Sequence, residues 1–314
     1  MRPILIDIPL PFTIPILGLH HIPIFSYGVM LGLSMIVGWY IVLGLCERDG
    51  MDREVMGKLY VGTAIWSVIS ARLLYVITNW DRFDHFFDIF KVWEGGLVAY
   101  GGFIGGFLYG IIASRFYKIR LLSWADCVVP SLGTGLAFTR IGCFMFGCDY
   151  GKPVDPSRVA WAVRFPVGSP AYLEQIKEGL IDRTATSSLP VHPTQIYEML
   201  VGLSLFGLTM LVRRYRKFTG EMFVAFTVGY GVLRFYVETL RADYDRGELG
   251  PFSTSQVIGI VTGVLALVFL VMRYRRYKVD PRSTRYWELP PLGTAPPAVA
   301  TPAESKPGRS KRRR

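Results

Sequence analysis

Two arginines lie within segments that are otherwise apolar enough to be buried in a membrane. Arg140 lies in TRIGCFMFGCDYG (139–151), and Arg234 lies in YGVLRFYVETLR (230–241). A guanidinium group in hydrocarbon costs at least ~2.5–3.5 kcal/mol on insertion scales, so an arginine at that depth is a candidate functional residue by default. Guanidinium groups bind phosphate through two parallel hydrogen bonds. The two residues therefore predict a phosphate group held at membrane depth.

Carboxylates and an aromatic hydroxyl accompany these arginines at helical spacing. Glu238 follows Arg234 by four residues and Tyr230 precedes it by four, so all three share one helix face. Glu198 ends the block HPTQIYE (192–198), whose proline suits the first turn of a helix, and it therefore lies inside the apolar run that follows. The spacing predicts that these carboxylates orient the guanidinium groups.

Two tyrosines lie near glycines at the ends of apolar runs. Tyr100 lies between two glycine pairs in EGGLVAYGGFIGG (94–106), and Tyr27 lies in FSYG. Paired glycines also serve close helix packing, and tyrosines near the end of a span are ordinary interfacial anchors. These interpretations stay open beside the hypothesis that the Tyr100 hydroxyl takes part in the chemistry.

Hydropathy places these residues in a membrane. The chain has 314 residues, of which 51% are hydrophobic and 19% charged. A helix needs about 20 apolar residues to cross about 30 Å of hydrocarbon. Such runs occupy 24–45, 57–77, 97–114, 124–146, 194–212, 221–240 and 253–272. The sequence therefore predicts an all-α, polytopic membrane protein with about seven transmembrane helices, and a large soluble core is the less favoured alternative.

Basic residues are concentrated in the connections after spans one, three, five and seven. These flanks contain Arg48, Arg53, Arg115, Arg120, Arg213, Arg214, Arg216, Arg273, Arg275 and Arg276. Because lysine and arginine favour cytoplasmic flanks, the N-terminus is predicted outside the cell and the C-terminus in the cytoplasm. The same bias accounts for the net charge of +11 without a nucleic-acid partner.

Two stretches fall outside the predicted spans. The connection 149–192, between helices four and five, is long enough to form an external cap that docks substrate. From 279 the chain is rich in Pro, Ala, Ser and Thr and ends KRRR, a composition that cannot bury a core. We therefore predict an integral membrane catalytic domain over 1–278 and a disordered basic cytoplasmic tail over 279–314, which contacts membrane lipids or remains solvated.

Ordered sequence blocks resemble the prolipoprotein diacylglyceryl transferase family of the bacterial inner membrane. They are FSYGVMLG from 25, GGLVAYGG from 95, RIGCFMFGCDYG from 140, and HPTQIYE from 192 with YGVLRFYVETLR from 230. The resemblance implies a multi-pass transferase of lipoprotein biosynthesis. Such an enzyme moves the diacylglyceryl group of phosphatidylglycerol to the lipobox cysteine of a preprolipoprotein, forming a thioether and releasing glycerol phosphate. The reaction needs no metal or cofactor.

The resemblance also implies roles for individual residues. Arg140 matches the signature arginine that contacts the lipid phosphate, and Arg234 matches a second essential arginine. The remaining matches are predicted to bind or orient substrate, and they are Tyr27, Gly151, His192, Glu198, Tyr230 and Glu238. The chemistry agrees, because a phosphate leaving group gains charge as its carbon–oxygen bond breaks, and guanidinium groups stabilise that charge.

Three positions depart from the family pattern. Many members have histidine where this chain has Tyr100, and tyrosine, with a reference pKa near 10, is a poorer base unless arginines lie close to it. Tyr100 close to Arg140 or Arg234 is nevertheless the predicted base. Many members also have asparagine in place of Cys143 and an acidic residue in place of Cys148, so Asp149 is a candidate replacement for that acid.

The cysteines and one further arginine admit several interpretations. Cys143 and Cys148 could form a disulfide, or one of them could carry lipid transiently, but inert packing is the commoner role of buried cysteines. A metal site is disfavoured, because His192 is the one histidine in a nearby motif and two thiols do not close a zinc shell. Arg72, midway along the second span, is predicted to serve a structural role or to pair with a site carboxylate, Glu198 or Glu238.

Two other functions would also bury arginines and glutamates on glycine-rich helices. One is a lipid or anion transporter, although no inverted repeat is apparent. The other is a family member that binds lipid without catalysis, which the residues Tyr100 and Cys143 would permit. Transfer of lipid to a lipobox peptide separates these functions from the transferase.

Overall fold

Helices make up most of the computed structural model, which describes residues 3–14, 19–83, 85–90, 95–242 and 248–288. The helices are α1 (Ser26–Arg48), α2 (Arg53–Thr78), α3 (Ala99–Phe116), α4 (Leu121–Phe146), α5 (Pro170–Lys177), α6 (Thr194–Tyr215), α7 (Glu221–Leu240), α8 (Thr254–Val279) and α9 (Pro281–Thr284). Two antiparallel strand pairs accompany them: β1 (Ile4–Ile14) with β2 (Leu19–Phe25), and β3 (Glu248–Leu249) with β4 (Phe252–Ser253).

The long helices occupy the seven predicted spans, which confirms the all-α membrane class. Six of them are long and apolar enough to cross a membrane. The helix outside this group is α3, which has 18 residues and carries an arginine and several glycines among its apolar side chains. Glycine contributes little hydropathy, so the sequence of α3 is less apolar than its neighbours although it packs beside them.

Polar caps set where several helices begin and end. The Asp52 carboxylate accepts a hydrogen bond from the backbone N–H of Val55 (2.9 Å) at the start of α2, and Ser253 with Gln256 forms a capping box at the start of α8. Side-chain oxygens at these positions satisfy N–H groups that have no partner within the helix. Polar residues that cap and begin a helix are not counted in an apolar run, and α2 therefore begins four residues before the predicted run.

Helix α4 lies at the centre of the bundle, between α1 and α6, while α7 packs against both α6 and α8. The backbones of α4 and α6 meet at Gly133 and Gly202. A β-carbon added to Gly133 would lie 2.8 Å from the carbonyl oxygen of Gly202, and one added to Gly202 would lie 2.5 Å from the carbonyl oxygen of Gly133. Side chains larger than hydrogen would therefore separate these two helices.

The glycines beside Tyr100 serve the packing of α3 on α2. A β-carbon added to Gly101 would lie 2.5 Å from the carbonyl oxygen of Ser70 and 2.8 Å from Cβ of Leu74, both on α2. Gly105 is buried against the same helix, again beside Ser70. The close-packing interpretation of these glycines is thus confirmed, and it leaves the role of the Tyr100 hydroxyl as a separate question.

Basic flanks from several connections meet at one end of the bundle. Asp49, after α1, accepts from Nη2 of Arg213 (2.6 Å) and Nη2 of Arg216 (2.7 Å), both at the end of α6. Buried Asp126 accepts from the backbone N–H groups of Gly220 (2.8 Å) and Phe223 (3.0 Å), and so caps the start of α7. This end, which we call the basic end, gathers the connections that were predicted to share one side of the membrane.

The first residues of the predicted tail pack on the basic end. Thr284 is buried, the Arg285 side chain donates to the carbonyl oxygen of Lys217 (3.1 Å), and the Arg216 guanidinium lies 4.1 Å from the ring centroid of Trp287. The prediction of disorder from 279 therefore does not describe residues 281–288, where aromatic rings cover arginines. Residues 289–314, the rest of the predicted tail, lie outside the described residues.

Arg72 does not pair with Glu198 or Glu238. Its guanidinium donates to the backbone carbonyl oxygens of Asp88 (2.8 Å), Ile89 (2.8 Å), Gly95 (2.7 Å) and Gly96 (3.1 Å). Four of the five donors of one guanidinium thus satisfy carbonyl groups of the connection between α2 and α3, which has no sheet ladder to bond them. The predicted carboxylate partner was wrong, and the structural role is confirmed.

The connection after α4 is structured, as predicted. It contains α5 and a small core formed by Tyr150, Phe165, Ala171 and Val191. Val163 and Val191 exchange backbone hydrogen bonds (3.1 and 3.0 Å), and Gln175 of α5 accepts from the backbone N–H of Leu189 (2.7 Å). We call residues 149–192 the cap, and the end of the bundle that carries it the cap end.

The structure has an N-terminal hairpin, formed by β1 and β2, that the sequence did not predict. Its strands contain Pro9, Pro11 and Pro23, and proline disfavours a strand because it has no N–H to donate. The hairpin tolerates them because a two-stranded sheet has only edges. Its first residues contact the start of α1, where the Ser26 backbone donates to the carbonyl oxygen of Pro3 (2.9 Å).

Candidate active site

Six charged residues form one ion-pair network at the cap end of the bundle. Arg140 comes from the last two turns of α4, Glu198 from the first turns of α6, and Arg234 from α7. The full set is Arg140, Arg234, Arg241, Asp149, Glu198 and Glu238. Three positive and three negative charges balance, so the network is neutral as a whole.

Glu198 lies at the centre of this network. Its side chain is 3% exposed, and its two oxygens face three guanidinium groups: Arg140 Nε lies 2.5 Å from Oε2, Arg241 Nη1 lies 2.9 Å from Oε1, and Arg234 Nη1 also contacts Oε1. A buried carboxylate is stable when several charged donors replace its water. The predicted role of Glu198 in orienting the arginines therefore has a direct geometric basis.

Asp149 and Glu238 complete the network on either side of Glu198. Asp149 bridges Arg140 Nη1 (2.5 Å) and Arg241 Nη2 (2.5 Å), and Glu238 Oε2 lies 2.7 Å from Arg234 Nη2. Burial alone would raise the pKa of Asp149, but the charges of Arg140 and Arg241 outweigh it and hold the pKa below its usual range. Asp149 is therefore ionised at neutral pH.

One guanidinium nitrogen of the signature arginine is not used by the network. Arg140 contacts Glu198 through Nε and Asp149 through Nη1, and Nη1 also lies 3.7 Å from Sγ of Cys143. Within the part of the chain that the structure describes, no carboxylate, sulfur or carbonyl group bonds Nη2 of Arg140. A further acceptor, such as a phosphate oxygen, can bind there without breaking an existing ion pair.

The turn after α4 holds Asp149 in place. Gly147 has φ +90°, a left-handed conformation that ends the helix, and the backbone N–H groups of Gly147 (2.8 Å) and Cys148 (3.2 Å) both donate to the carbonyl oxygen of Cys143. The start of α6 secures the turn, because Gln195 Nε2 donates to the carbonyl oxygen of Cys148 (2.7 Å). Backbone and side-chain bonds thus fix Asp149 beside Arg140.

Gly151 lies where three segments converge. A β-carbon added there would lie 2.5 Å from Cβ of His192, 2.7 Å from the carbonyl oxygen of His192 and 2.8 Å from that of Leu240. The backbone N–H of Gly151 donates to His192 (3.0 Å). Close approach of the cap, the start of α6 and the end of α7 explains why glycine is needed, and a substrate-binding role for Gly151 stays a prediction.

Two of the predicted tyrosines lie beside the network. A β-carbon on Gly142, two residues after Arg140, would lie 3.0 Å from Cα of Tyr27, so the start of α1 packs on the α4 segment that carries Arg140. Tyr230 lies one turn before Arg234 on α7, and its ring stacks on Phe226 with centroids 6.1 Å apart. Both residues are therefore positioned at the edge of the charged cluster.

Tyr100 lies at the start of α3, with its hydroxyl beside α8. Its hydroxyl lies 3.3 Å from Oγ of Ser255 on α8, and among the described residues it has no hydrogen bond to Arg140 or Arg234. The start of α3 therefore lies near α8, and the closeness of the Tyr100 hydroxyl to Arg140 or Arg234 stays a prediction. The side chain is 41% exposed, so it remains open to a ligand.

His192 belongs to the cap surface and not to the ion-pair network. Its Nδ1 lies 3.2 Å from the hydroxyl of Tyr197, which also accepts a hydrogen bond from Nε1 of Trp161 (2.6 Å). Burial lowers the pKa of His192 from its ordinary value, so the ring is neutral at pH 7. The three side chains form a mixed polar and aromatic surface next to Gly151.

The family model for prolipoprotein diacylglyceryl transferase matches residues 15–272 of this chain. The chain belongs to that family. The matched range contains all seven long helices except the last turns of α8, together with the whole charged network. As a member of the prolipoprotein diacylglyceryl transferase family, the chain is a membrane transferase of lipoprotein biosynthesis.

Named relatives agree with this assignment along most of the chain. The phosphatidylglycerol--prolipoprotein diacylglyceryl transferase of Listeria welshimeri is 31% identical over 258 residues, which cover 81% of this chain and 87% of the relative. The enzyme of the same name from Geobacillus kaustophilus is 29% identical, with 82% of this chain and 91% of the relative covered. For Oceanobacillus iheyensis the identity is 26%, over 85% and 88%.

Arg241 is the site residue that was missed. No role in the site was predicted for it, yet its side chain is 4% exposed and bridges Asp149 and Glu198. The spacing in the sequence could have revealed it. Arg241 follows Arg234 by seven residues and Glu238 by three, so a helix that continued to residue 241 would place all three on one face. The helix ends at Leu240, but the side chain still turns inward.

The network suits an anion better than a cation. Sulfur atoms of Cys143 and Cys148 and a carboxylate oxygen of Asp149 lie within 4.8 Å of one another, the spacing of a possible metal site. The carboxylate, however, already faces Arg140 and Arg241 at 2.5 Å. A metal ion bound there would lie close to two positive charges, which disfavours it electrostatically.

Proposed function

We propose that this member of the prolipoprotein diacylglyceryl transferase family transfers the diacylglyceryl group of phosphatidylglycerol to the lipobox cysteine of a preprolipoprotein. The thiolate sulfur attacks the glycerol carbon that bears the phosphate, a carbon–sulfur bond forms and the carbon–oxygen bond breaks. The electron pair leaves with glycerol phosphate. The observation that carries the proposal is the buried arginine network, with Nη2 of Arg140 available to a phosphate oxygen.

Arg140 and Arg234 stabilise the leaving group in this scheme. The phosphodiester of phosphatidylglycerol carries one negative charge, and breaking the carbon–oxygen bond adds a second on the departing oxygen. Fixed donors aimed at developing charge lower the barrier because they need no reorganisation during the reaction. Glu198, Asp149 and Glu238 hold the guanidinium groups before the lipid arrives, so the site is organised in advance.

Tyr100 relays the thiol proton in this proposal: its hydroxyl accepts the proton of the lipobox thiol while it gives its own proton to an oxygen of the departing glycerol phosphate, so that no contact with an arginine is needed. The Tyr100 hydroxyl contacts Ser255 of α8, and α8 packs against α7, the helix that carries Tyr230 and Arg234. We therefore place the substrate in the space between Tyr100 and Arg234. A substrate in that space would bring the lipobox thiol between the Tyr100 hydroxyl and the lipid phosphate. Tyr27 and Tyr230 would then contact the lipid.

Tyr100→Phe should lower the transfer rate roughly 100-fold, the usual contribution of a positioned proton acceptor, while phosphatidylglycerol binding persists. The measurement is initial rate with a lipobox peptide at saturating lipid, together with lipid retained on the purified protein. Tyr236→Phe is the matched control, because Tyr236 is 67% exposed on α7. A Tyr100→Phe enzyme as fast as the parent would assign proton acceptance to the lipid phosphate or to water.

The cap docks the peptide substrate in this scheme. Trp161 and Tyr197 present aromatic surface next to Gly151, and their hydrogen-bonded chain with His192 gives the surface fixed geometry. The proposed orientation puts the cap end outside the cytoplasm, where the lipobox of an exported protein arrives. The basic end then faces the cytoplasm in agreement with the positive-inside bias.

A reaction with purified components tests the proposal. The protein in detergent or vesicles is mixed with phosphatidylglycerol and a lipobox peptide, and the peptide mass is measured. We expect a peptide that gains one diacylglyceryl group in thioether linkage, and no gain on a peptide with serine in place of cysteine. Phosphatidylglycerol moved between vesicle leaflets without peptide modification would indicate a transporter, and lipid binding alone would indicate an inactive member. Either result would overturn the proposal.

A further inference from the structure

Cys143 and Cys148 are brought together by the turn that ends α4. The backbone N–H of Cys148 donates to the carbonyl oxygen of Cys143 (3.2 Å), and that of Gly147 donates to the same oxygen (2.8 Å). With the left-handed Gly147, the Cys148 bond is the longer of the two bonds of a Schellman motif, and in such turns the side chains at these two positions, five residues apart, frequently contact each other. In most helices that contact is between apolar groups. Here it is between two thiols.

Small side-chain rotations would bring the two sulfur atoms to bonding distance. They are within 4.8 Å of each other, and Sγ of Cys148 lies 3.8 Å from the carbonyl oxygen of Cys143. Both cysteines are reduced in this structure. A disulfide needs adjacent backbones and convergent Cβ atoms, and the backbone hydrogen bond between the two residues supplies the first condition.

Accessibility separates this pair from the other two cysteines. Cys148 is half-buried at the cap end, next to Asp149. Cys46 and Cys127 are fully buried in the core of the basic end, packed among Val42, Leu43 and Leu59. A dissolved oxidant therefore reaches Cys148 first, while the second pair serves as an unreactive internal reference.

We propose that Cys143 and Cys148 are an oxidisable pair whose disulfide alters the contacts of Arg140. The oxidant is a small-molecule or protein disulfide. The Cys148 thiolate attacks one of its sulfurs and releases one thiol, and the Cys143 thiolate then attacks the mixed disulfide and releases the second. Two protein thiols are oxidised, one external disulfide is reduced to two thiols, and the two thiol protons are transferred to the products.

The consequence for the site follows from what each sulfur contacts. Nη1 of Arg140 lies 3.7 Å from Sγ of Cys143, and Sγ of Cys148 lies 3.9 Å from Oδ2 of Asp149. Bonding draws the sulfurs to about 2 Å from each other, so each must move relative to Arg140 or Asp149. Arg140 and Asp149 are themselves paired at 2.5 Å, and the disulfide therefore acts on the ion pair that positions Arg140 for phosphate in the proposed function.

Peptide mass analysis tests the bond itself. Trypsin cuts after Arg140 and Arg158, because Pro153 prevents cleavage after Lys152, so one peptide of the sequence IGCFMFGCDYGKPVDPSR contains both cysteines. Purified protein is treated with oxidised glutathione in detergent, alkylated under denaturing conditions and digested. We expect this peptide to lose two hydrogens and to take up no alkyl group, and the reduced protein to take up an alkyl group on each cysteine. Full alkylation after oxidant, or a disulfide elsewhere in the chain, would overturn the proposal.

Transfer activity tests the coupling to Arg140 and rests on the proposed function. We expect oxidation to slow lipobox modification at least tenfold, with full recovery after a thiol reductant. The transfer rate of the Cys148→Ala variant, whatever its value, should be the same with and without oxidant. The rate of the Cys127→Ala variant should fall with oxidant as the parent's does. An unchanged rate in fully disulfide-bonded protein would refute the coupling. A reduced protein that never modifies the peptide would instead refute the proposed function, since the mass result does not depend on it.

Discussion

Replacing Glu198 by glutamine should reduce diacylglyceryl transfer at least about 100-fold while the helical bundle remains folded. Glu198 is the one carboxylate of the described network that contacts all three arginines. Removing one partner of a buried ion pair costs about 3–5 kcal/mol because the remaining charges stay buried. Since about 1.36 kcal/mol corresponds to a tenfold change in rate, displacement of the arginines by that energy gives the expected loss.

Glu174→Gln is the matched control for this substitution. Glu174 lies on α5 in the cap, and its ion pair with Lys177 (3.4 Å) is largely exposed, so its loss is worth little. Transfer rates are compared at equal protein concentration, with circular dichroism and thermal unfolding as checks on folding. A folded Glu198→Gln enzyme with the parent rate would show that the arginines keep their positions without Glu198.

Arg234→Lys should also abolish most transfer. Arg234 uses two nitrogens of one planar group to contact two carboxylates, Glu198 through Nη1 and Glu238 through Nη2. A lysine ammonium is a single point of charge and cannot span both carboxylates and a phosphate oxygen in one plane. We expect a loss of 100-fold or more in rate, on the scale found when one donor to developing charge is removed.

The control for Arg234 is Arg214→Lys on α6, an exposed residue whose guanidinium lies against Tyr215. Both variants keep the net charge of the chain, so a difference between them reports geometry. The assay is the same lipobox reaction, with lipid binding measured in parallel. Parent-like turnover in Arg234→Lys would mean that positive charge alone is sufficient at this position.

The positions of the membrane helices could be predicted because hydrocarbon thickness fixes the length of an apolar run. The predicted span 221–240 has the bounds of α7, and 124–146 ends where α4 ends. Other helix boundaries differ from the predicted ones where a polar N-cap residue lies outside the apolar run, as Asp52 does at the start of α2. The hairpin of β1 and β2 was not predictable in the same way. Its prolines argue against strands in the sequence, although the two strands do pair in the structure.

The members of the charged site were mostly predictable, but their pairing between helices was not. Arg140, Arg234, Glu198 and Glu238 were identified from charge at membrane depth, and all four meet in one network. Helix periodicity placed Glu238 beside Arg234, whereas the carboxylate of one helix that faces an arginine of another depends on how α4, α6 and α7 pack. Arg72 illustrates why charge at membrane depth is not sufficient to assign a residue to the site. It is as buried as the others, yet its donors bind backbone carbonyl groups.

The contact of Gly133 with Gly202 makes the distance between Arg140 and Glu198 a property of backbone packing. Gly133 precedes Arg140 by two helical turns and Gly202 follows Glu198 by one, so the two helices touch just inside the charged network. Helices tilt to match bilayers of different thickness, and α4 and α6 would tilt as a unit about this contact. We therefore expect the pairing of Arg140 with Glu198 to be insensitive to the thickness of the surrounding lipid.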